Sequence, residues 1–285
     1  MCLAVGAGAT SARVVAQSLT LSEVLLRVSQ WTLTFEQQFG NRVADEVYEQ
    51  RVMSSNGDVE RSRHYTAELL FYRDALHDTW TSYRRVTTVD DEPVARAWMD
   101  PAETVPTLEK FLQDAERIDA ESTRRFLGPM PWKLHLPMLA LAFVHPLNRY
   151  RSRFEREGEE VVQGQRTWVV RFNEHRTPTF VRTRAGDLFA SGRFWVVPDT
   201  GQVMRSDLVL GGSVSSRQAR TRITVEYQTG AEDDVWVPVE MREVYDNPLF
   251  PAAARTEGHA TFMNYRPFVL EDEATLIAEP VSVRP

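Results

Sequence analysis

The feature that most constrains the fold is a series of short runs, between Tyr150 and Tyr265, in which apolar and polar residues alternate. A period of two is typical of strands with one buried face, and turn residues such as Pro198-Asp199-Thr200-Gly201 separate the runs. Because the links have hairpin length, we predict that consecutive strands pair as an antiparallel sheet rather than as β-α-β units. One apolar face per strand also predicts a sheet that is covered on one side.

The N-terminal part of the chain adds a helix and further strands to this sheet. Thr20-Leu21-Ser22-Glu23 fits a capping box, and apolar residues at helical spacing follow it. These features predict an amphipathic helix over residues 20–39, with Gly40 as its C-cap. Alternating runs then predict strands over Val43–Met53, His64–Tyr72 and Trp80–Val89.

A region with helical character separates these strands from the main sheet. Apolar residues at helical spacing predict a helix that ends near Phe126, with a stripe formed by Leu108, Phe111, Leu112, Ala115 and Ile118. The next segment, Leu136 to Val144, is apolar all round and is predicted to be buried, although it is too short to cross a bilayer. We therefore predict a helical insert over residues 100–146 within a single domain of residues 18–270.

Composition limits the classes of function. The formal net charge of −7 argues against a general nucleic-acid-binding protein, and no apolar run approaches the ~20 residues of a membrane span. The single cysteine, Cys2, allows no disulfide within the chain. Residues 1–17 are small and apolar and are predicted to be a signal segment of an exported protein, while the acidic and proline-rich residues 271–285 are predicted to be a loose tail.

The sequence shows no motif for catalysis or metal binding. It lacks a phosphate-binding glycine loop and a G-x-S-x-G elbow, and its six histidines have neither H-x-x-x-H nor H-E-x-x-H spacing. We therefore predict no catalytic residues, no metal and no cofactor. Glu174-His175 is interpreted as a solvated pair, with a general base as the alternative. The excess of arginine between Arg149 and Arg222 is interpreted as a solvated strand face, with an anion-binding site as the alternative.

Several hairpin sequences resemble those of a known superfamily. Phe194 to Val203 resembles the strand-turn-strand pattern W-I-D-P-x-T-G-x-V of the outer-membrane lipoprotein-sorting superfamily, the LolA/LolB-like proteins. Glu159 to Val170 resembles the preceding hairpin of that superfamily. The last strands of the superfamily have counterparts in Val237-Pro238-Val239-Glu240-Met241 and Phe262-Met263-Asn264-Tyr265. The likeness covers about Tyr150 to Phe268 and consists of turn and packing signals.

This resemblance implies an α+β fold, in which a curved antiparallel β-sheet forms an unclosed half-barrel with helices packed on its concave face. In that superfamily the apolar cavity between sheet and helices holds lipid or acyl chains. The resemblance thus implies an exported, non-enzymatic protein of the periplasm or cell envelope whose partners are lipid or lipoprotein acyl chains. The insert over residues 100–146 is larger than in lipoprotein carriers, and its segment Leu136–Val144 is either a lid or a permanent plug of the cavity.

Large apolar side chains of the insert and the sheet are the candidate ligand-binding residues: Phe111, Leu112, Leu139, Phe143, Trp168, Trp195, Met204 and Met241. Met204 is expected to share a strand face with Ser206, Leu208 and Leu210. One alternative is a non-catalytic structural or interaction domain of the cell envelope with a filled core. Another is an enzyme, whose mark would be a carboxylate and a histidine that converge in an open cleft.

Overall fold

The computed structural model describes residues 19–74, 79–94, 107–127, 134–183, 186–211, 220–230, 234–246 and 255–268. The predicted signal segment and the predicted tail lie outside these ranges, so both remain predictions. The predicted insert is described over residues 107–127 and 134–146.

Helix α1, Leu21–Phe39, begins at the predicted capping box. Thr20 Oγ1 accepts a hydrogen bond from the backbone N–H of Glu23 at 3.3 Å, and Glu23 Oε2 accepts one from the backbone N–H of Thr20 at 2.7 Å. The helix ends at Gly40, whose φ of +55° suits a residue without a side chain. The sequence prediction for this helix is confirmed.

Eleven strands of the described chain form one antiparallel sheet, in the spatial order β4-β3-β2-β1-β13-β12-β11-β10-β9-β6-β5. The strands are β1 (Arg42–Met53), β2 (Val59–Asp74), β3 (Thr79–Val89), β4 (Glu92–Pro93), β5 (Ser152–Val162), β6 (Gln165–Glu174), β9 (Ala190–Val196), β10 (Val203–Gly211), β11 (Arg220–Thr229), β12 (Trp236–Asp246) and β13 (Arg255–Pro267). A small hairpin comprises β7 (Val181–Thr183) and β8 (Gly186–Leu188). Because β4 and β5 do not pair, the sheet is not closed, which confirms the predicted unclosed antiparallel architecture.

One face of the sheet, here called the inner face, carries the main hydrophobic core. Helix α1 packs on it together with residues 134–144, here called the cover segment, which contains a short 3-10 helix over Leu139–Phe143. The rings of Phe143, Phe172 and Phe194 form a stack with centroid separations of 5.1 Å and 5.1 Å. The opposite, outer face carries charged side chains and two smaller apolar clusters.

The turn at residues 198–201 positions α1 on the sheet. The Arg27 guanidinium donates to the backbone carbonyls of Pro198 at 3.0 Å and Asp199 at 3.1 Å. Gly201 has a φ of +78°, and a Cβ atom there would lie 2.3 Å from the carbonyl carbon of Arg27. The turn therefore requires glycine both for its backbone conformation and for the close approach of the helix.

Helix α2, Leu108–Thr123, runs along the free edge of β3. Ser122 Oγ donates to the carbonyl of Arg84 at 2.7 Å and accepts from the N–H of Val86 at 3.3 Å. Asp119 Oδ1 accepts from the N–H of Arg84 at 3.5 Å. These side chains form hydrogen bonds with backbone groups of β3 that the two-residue strand β4 does not pair with. They thus cover a sheet edge that would otherwise be open to pairing.

Candidate functional site

The cover segment occupies the inner face and is held there by side chains. Most of its apolar residues are buried, as predicted, while Leu139 and Ala142 are half-buried. The buried ones include Leu136, Met138, Ala140, Leu141, Phe143 and Val144. The backbone–backbone hydrogen bonds that its N–H groups donate in the described chain all go to carbonyls of the same segment. Its carbonyls accept from side chains of the surrounding elements, namely Ser29 to Val144 at 2.8 Å, Tyr227 to Pro137 at 2.9 Å and Ser82 to His135 at 2.9 Å.

Four buried ionisable side chains meet beneath one end of the cover segment and are here called the charge cluster: Glu46 of β1, Arg84 of β3, His135 of the cover segment and Glu243 of β12. The Arg84 guanidinium donates Nε to Glu46 Oε2 at 2.6 Å and a terminal nitrogen to Glu46 Oε1 at 2.7 Å. The same guanidinium contacts His135 Nε2. His135 Nδ1 lies 2.8 Å from Glu243 Oε2, and its Nε2 lies 3.0 Å from Glu46 Oε1.

Two tyrosines complete the hydrogen bonding of Glu243. The Tyr48 hydroxyl donates to Glu243 Oε2 at 3.2 Å, and the Tyr245 hydroxyl donates to Glu243 Oε1 at 2.7 Å. Burial raises the pKa of both phenols well above the usual value, so they remain donors. Gly258 on β13 makes room for Tyr48, because a Cβ atom at this position would lie 2.3 Å from the Tyr48 hydroxyl oxygen.

The electrostatics of the charge cluster follow from its burial and its mutual contacts. Burial opposes ionisation of Glu46, but the charge of Arg84 and the contacts with His135 outweigh it and lower the pKa of Glu46 to about 2. Burial and the charge of Arg84 lower the pKa of His135. The charge of Glu243 and the hydrogen bonds to Glu243 and Glu46 outweigh them, so that the pKa of His135 is raised overall. The cluster therefore favours two carboxylates that face two cations.

A cavity of about 10 Å³ adjoins Arg84 and His135 between α2 and β3. This volume accommodates about one water molecule. A carboxylate and a histidine thus converge, as the enzyme alternative requires, but they are buried at 1% and 3% exposure and not in an open cleft. Among the described residues, no group of three or more His, Cys, Asp or Glu side chains is arranged to hold a metal ion.

The eight candidate ligand-binding residues are divided among three clusters. Leu139, Phe143, Trp168 and Met241 belong to the core of the inner face. Trp195 and Met204 lie in a small cluster of the outer face, because a register shift between Val203 and Arg205 turns Met204 away from the face of Leu208. The expectation that Met204 shares the face of Leu208 and Leu210 is therefore wrong.

The insert supplies the remaining two candidate residues. Phe111 and Leu112 pack with Val43, Leu70 and Tyr72 on the outer face. Of the eight residues, the structure thus brings only Leu139, Phe143, Trp168 and Met241 into the core of the inner face. Ligand contact by any of the eight residues remains a prediction.

The arginine-rich strands carry a set of partly exposed ion pairs on the outer face, here called the outer-face ladder. Its pairs cross between strands of the sheet. Their N–O distances are 2.7 Å for Arg205–Glu226 and 3.7 Å for Arg222–Asp207, which join neighbouring strands, and 2.6 Å for Arg193–Glu157, which spans β6. An open groove of about 320 Å³ runs along the ladder and is lined by charged residues of these pairs together with Trp195 and Thr224. This arrangement supports the interpretation of the arginines as a solvated strand face.

Glu174 and His175 do not form the solvated pair that the sequence suggested. The Glu174 carboxylate is buried and accepts hydrogen bonds from the backbone N–H groups of Phe180 at 2.7 Å and Ala190 at 3.2 Å. Burial raises the pKa of this carboxyl group, although the two backbone bonds act in the opposite direction. Glu174 therefore organises the connection around the β7–β8 hairpin, while His175 is exposed.

Sequence reasoning missed the charge cluster, although one strand contained a signal. Val237, Val239 and Met241 alternate on one face of β12, and the same phase continues to Glu243. A carboxylate in the apolar phase of a strand indicates a buried partner, because burial of an unpaired charge is costly. The identity of that partner, His135, follows only from the path of the cover segment.

Comparison with known proteins gives structural likeness only. No family model and no curated protein matches the chain. The chain is similar to the crystal structure of a DUF1329 family protein from Desulfovibrio piger ATCC 29098, with 12% sequence identity and a TM-score of 0.40 over 85% of this chain and 92% of that chain.

Two other similar structures bear the name of the superfamily that the sequence resembles. An outer membrane lipoprotein-sorting protein domain from Vibrio parahaemolyticus has 11% identity and a TM-score of 0.44 over 87% of this chain and 94% of that chain. A LolA superfamily protein from Nitrosomonas europaea has 8% identity and a TM-score of 0.36 over 90% of this chain and 96% of that chain. In the described ranges, no helix combines the length and the apolar character that a bilayer crossing requires.

Proposed function

We propose that this protein is an exported, non-catalytic binding protein that holds a lipid or acyl chain against the inner face of its sheet. The ligand takes the place of the cover segment. The observation that carries this proposal is the attachment of residues 134–144, which contribute no strand to the sheet and are held by side-chain contacts. Such a segment can leave without breaking the hydrogen-bond ladder between strands.

The chemistry of the inner face suits an acyl chain. Phe172, Phe194 and Leu208 are each 0% exposed beneath the covering elements, and their side chains carry no polar atoms. Burial of each methylene of a ligand contributes about 0.8 kcal/mol, so a long acyl chain offsets the loss of the apolar contacts made by the cover segment. Contact with the bound chain is proposed for Trp168 and Met241, which belong to the sheet side of this core, while Leu139 and Phe143 leave the inner face with the cover segment.

The proposed location outside the cytoplasm, in the periplasm or cell envelope, rests on the small and apolar N-terminal residues. The net charge of −7 supports a partner other than nucleic acid.

Displacement of a fluorescent fatty acid tests this function. The wild type is expected to bind at micromolar concentration, and a variant with Leu139→Ala and Phe143→Ala is expected to bind more tightly, because its cover segment has lost apolar contacts. Tyr227→Phe, which removes the hydroxyl that donates to Pro137, is expected to act in the same direction, since the binding-competent state becomes more populated. Tyr150→Phe, at an exposed tyrosine, is the matched control and should leave binding unchanged.

A second function is favoured by the dense packing of the cover segment. The stack of Phe143 on Phe172, at 5.1 Å, fills the interior as a permanent plug would. In that case the protein is a structural or interaction domain of the cell envelope. The wild type would then not bind fatty acid, and the double alanine variant would bind weakly in its new cavity. Absence of binding by both proteins would contradict the binding function and favour the structural one.

A further inference from the structure

His135 is the member of the charge cluster that the cover segment contributes, whereas its partners belong to strands. Its two ring nitrogens reach different strands, with Nδ1 at 2.8 Å from Glu243 of β12 and Nε2 at 3.0 Å from Glu46 of β1. A protonated imidazole donates from both nitrogens, while a neutral imidazole has a single N–H. Only the protonated ring can therefore donate to both carboxylates at the same time. The Arg84 guanidinium also contacts Nε2 and opposes the proton, but the charge of Glu243 and the hydrogen bonds to Glu243 and Glu46 outweigh it.

The charges around the ring also depend on this proton. With His135 protonated, it and Arg84 provide two cations for the carboxylates of Glu46 and Glu243. Loss of the proton leaves two buried carboxylates with one cation, which is costly where water cannot compensate. The other ionisable groups that face the site are the Tyr48 phenol, which packs edge-on against the ring at 5.3 Å, the Tyr245 phenol, which donates to Glu243, and Asp119, which lines the adjoining cavity. None of them is a cation, so none replaces the lost charge.

The small cavity gives the His135 proton a route to water. It lies between α2 and β3, has a volume of about 10 Å³, and is lined by Ser82, Asp119 and Ser122 as well as by Arg84 and His135. A single water molecule in this polar space can accept hydrogen bonds and exchange a proton with the ring. The ring is thus buried but lies beside a water-sized polar cavity.

We propose that the protonation state of His135 controls whether the cover segment remains on the inner face. The protonated ring joins the segment to β1 and β12, and deprotonation releases residues 134–144. Because contacts in the folded protein favour the protonated form, the stabilisation is complete below about pH 6.5, the usual value for histidine, and is lost as the pH rises further. The inference concerns the displaceable cover segment and requires no particular ligand.

Hydrogen–deuterium exchange of the ligand-free protein, followed by mass spectrometry between pH 5.5 and 8.5, tests the proposal. After correction for intrinsic exchange, the opening of residues 134–144 should increase about tenfold per pH unit above pH 6.5, until the folded-state titration is complete. Peptides from β10 serve as the internal reference and should not change in parallel. His135→Gln should abolish the pH dependence, while His259→Gln should retain it, since His259 makes a similar 2.8 Å contact with Glu240 on the exposed face.

Three results would overturn the proposal: opening that does not depend on pH in the wild type, pH dependence that persists in His135→Gln, or an equal increase in β10. If His135→Gln does not fold, Glu243→Gln provides a second variant and should move the opening transition to lower pH. The wild type alone gives a further check. Exchange of the imidazole C2 hydrogen reports the titration of His135, and its midpoint must coincide with the opening transition. Because no ligand is present, failure of fatty-acid binding would leave these outcomes unaffected.

Discussion

Paired charges on the two faces of the same sheet occupy opposite environments. In the charge cluster, the side chains of Arg84 and Glu46 are 4% and 0% exposed and approach to 2.6 Å. In the outer-face ladder, Arg205 and Glu226 approach to 2.7 Å, but their side chains are 30% and 28% exposed. The two pairs have the same chemistry and similar geometry, and they differ in access to water.

This difference determines how much each pair matters to the fold. Water screens an exposed pair, which typically contributes 0–1 kcal/mol whatever its distance. A buried pair has lost its hydration, so removal of one partner leaves a charge that nothing else compensates. The outer-face ladder therefore keeps the sheet soluble, whereas the charge cluster makes a few positions critical and connects the cover segment to the strands.

Replacement of Arg84 should have the largest effect. Arg84→Met leaves Glu46 and Glu243 buried near a single histidine, so we expect a loss of about 3–5 kcal/mol in the free energy of unfolding. Arg205→Met is the matched change on the outer face and should cost less than about 1 kcal/mol. Urea denaturation of both variants measures the difference. Equal losses would contradict the distinction between the two faces.

Acid should destabilise the folded protein by protonating Glu46 in the charge cluster. The pKa of Glu46 is lowered from 4.5 to about 2 in the folded protein, so its stabilisation is present above pH 4.5 and is lost as the pH falls towards 2. This shift corresponds to roughly 3 kcal/mol of unfolding free energy. Denaturation curves at several pH values should show the loss, and Glu46→Gln should reduce its slope.

Glycine substitutions probe the space beneath the charge cluster. Gly258→Ala places a methyl group against Tyr48, whose hydroxyl holds Glu243, and should cost about 1–3 kcal/mol through overpacking. Gly158→Ala on the edge strand β5 is the control, because a Cβ atom there meets nothing within 4 Å. Thermal unfolding of the two variants compares them. A similar melting temperature for both would show that the Tyr48 site can expand without cost.

The smallest effect is expected for the coupling within the outer-face ladder. A double-mutant cycle with Arg205→Ala and Glu226→Ala should give a coupling energy of about 0.2–1 kcal/mol, which decreases at high salt. Chemical denaturation at low and high ionic strength provides the measurement. A coupling of several kcal/mol, independent of salt, would place this pair in the same class as the charge cluster.

The architecture was readable from the sequence because its signals are local. The capping box at Thr20 and the Pro198–Gly201 turn act over a few residues, and the structure has both. The sheet face on which Met204 lies could not be predicted from the sequence. A register shift between Val203 and Arg205 moves its side chain to the outer face, although apolar and polar residues still alternate along the sequence. Likewise, the stripe of α2 predicted a helix but not its position along the edge of β3, which depends on side-chain bonds from Ser122.

The candidate site was much less readable than the fold. Glu46 and Arg84 lie in strands that have polar residues on both faces. The alternation of apolar and polar residues therefore does not indicate which side chains face inward. His135 belongs to no recognisable motif, and its partners are 89 and 108 residues away along the chain. The cluster forms only because the cover segment lies on the inner face. No periodic pattern in the sequence indicates that position.

Photo-crosslinking tests most directly whether the inner face binds an apolar chain when the cover segment moves aside. A fatty acid with a diazirine group along its chain would be irradiated with the protein, and the labelled residues mapped by mass spectrometry. We expect labels on inner-face residues such as Phe172, Phe194 and Leu208, with increased yield in the variant with Leu139→Ala and Phe143→Ala. Labels confined to outer-face residues such as Trp195, or no labelling above that of a short diazirine alcohol, would contradict it.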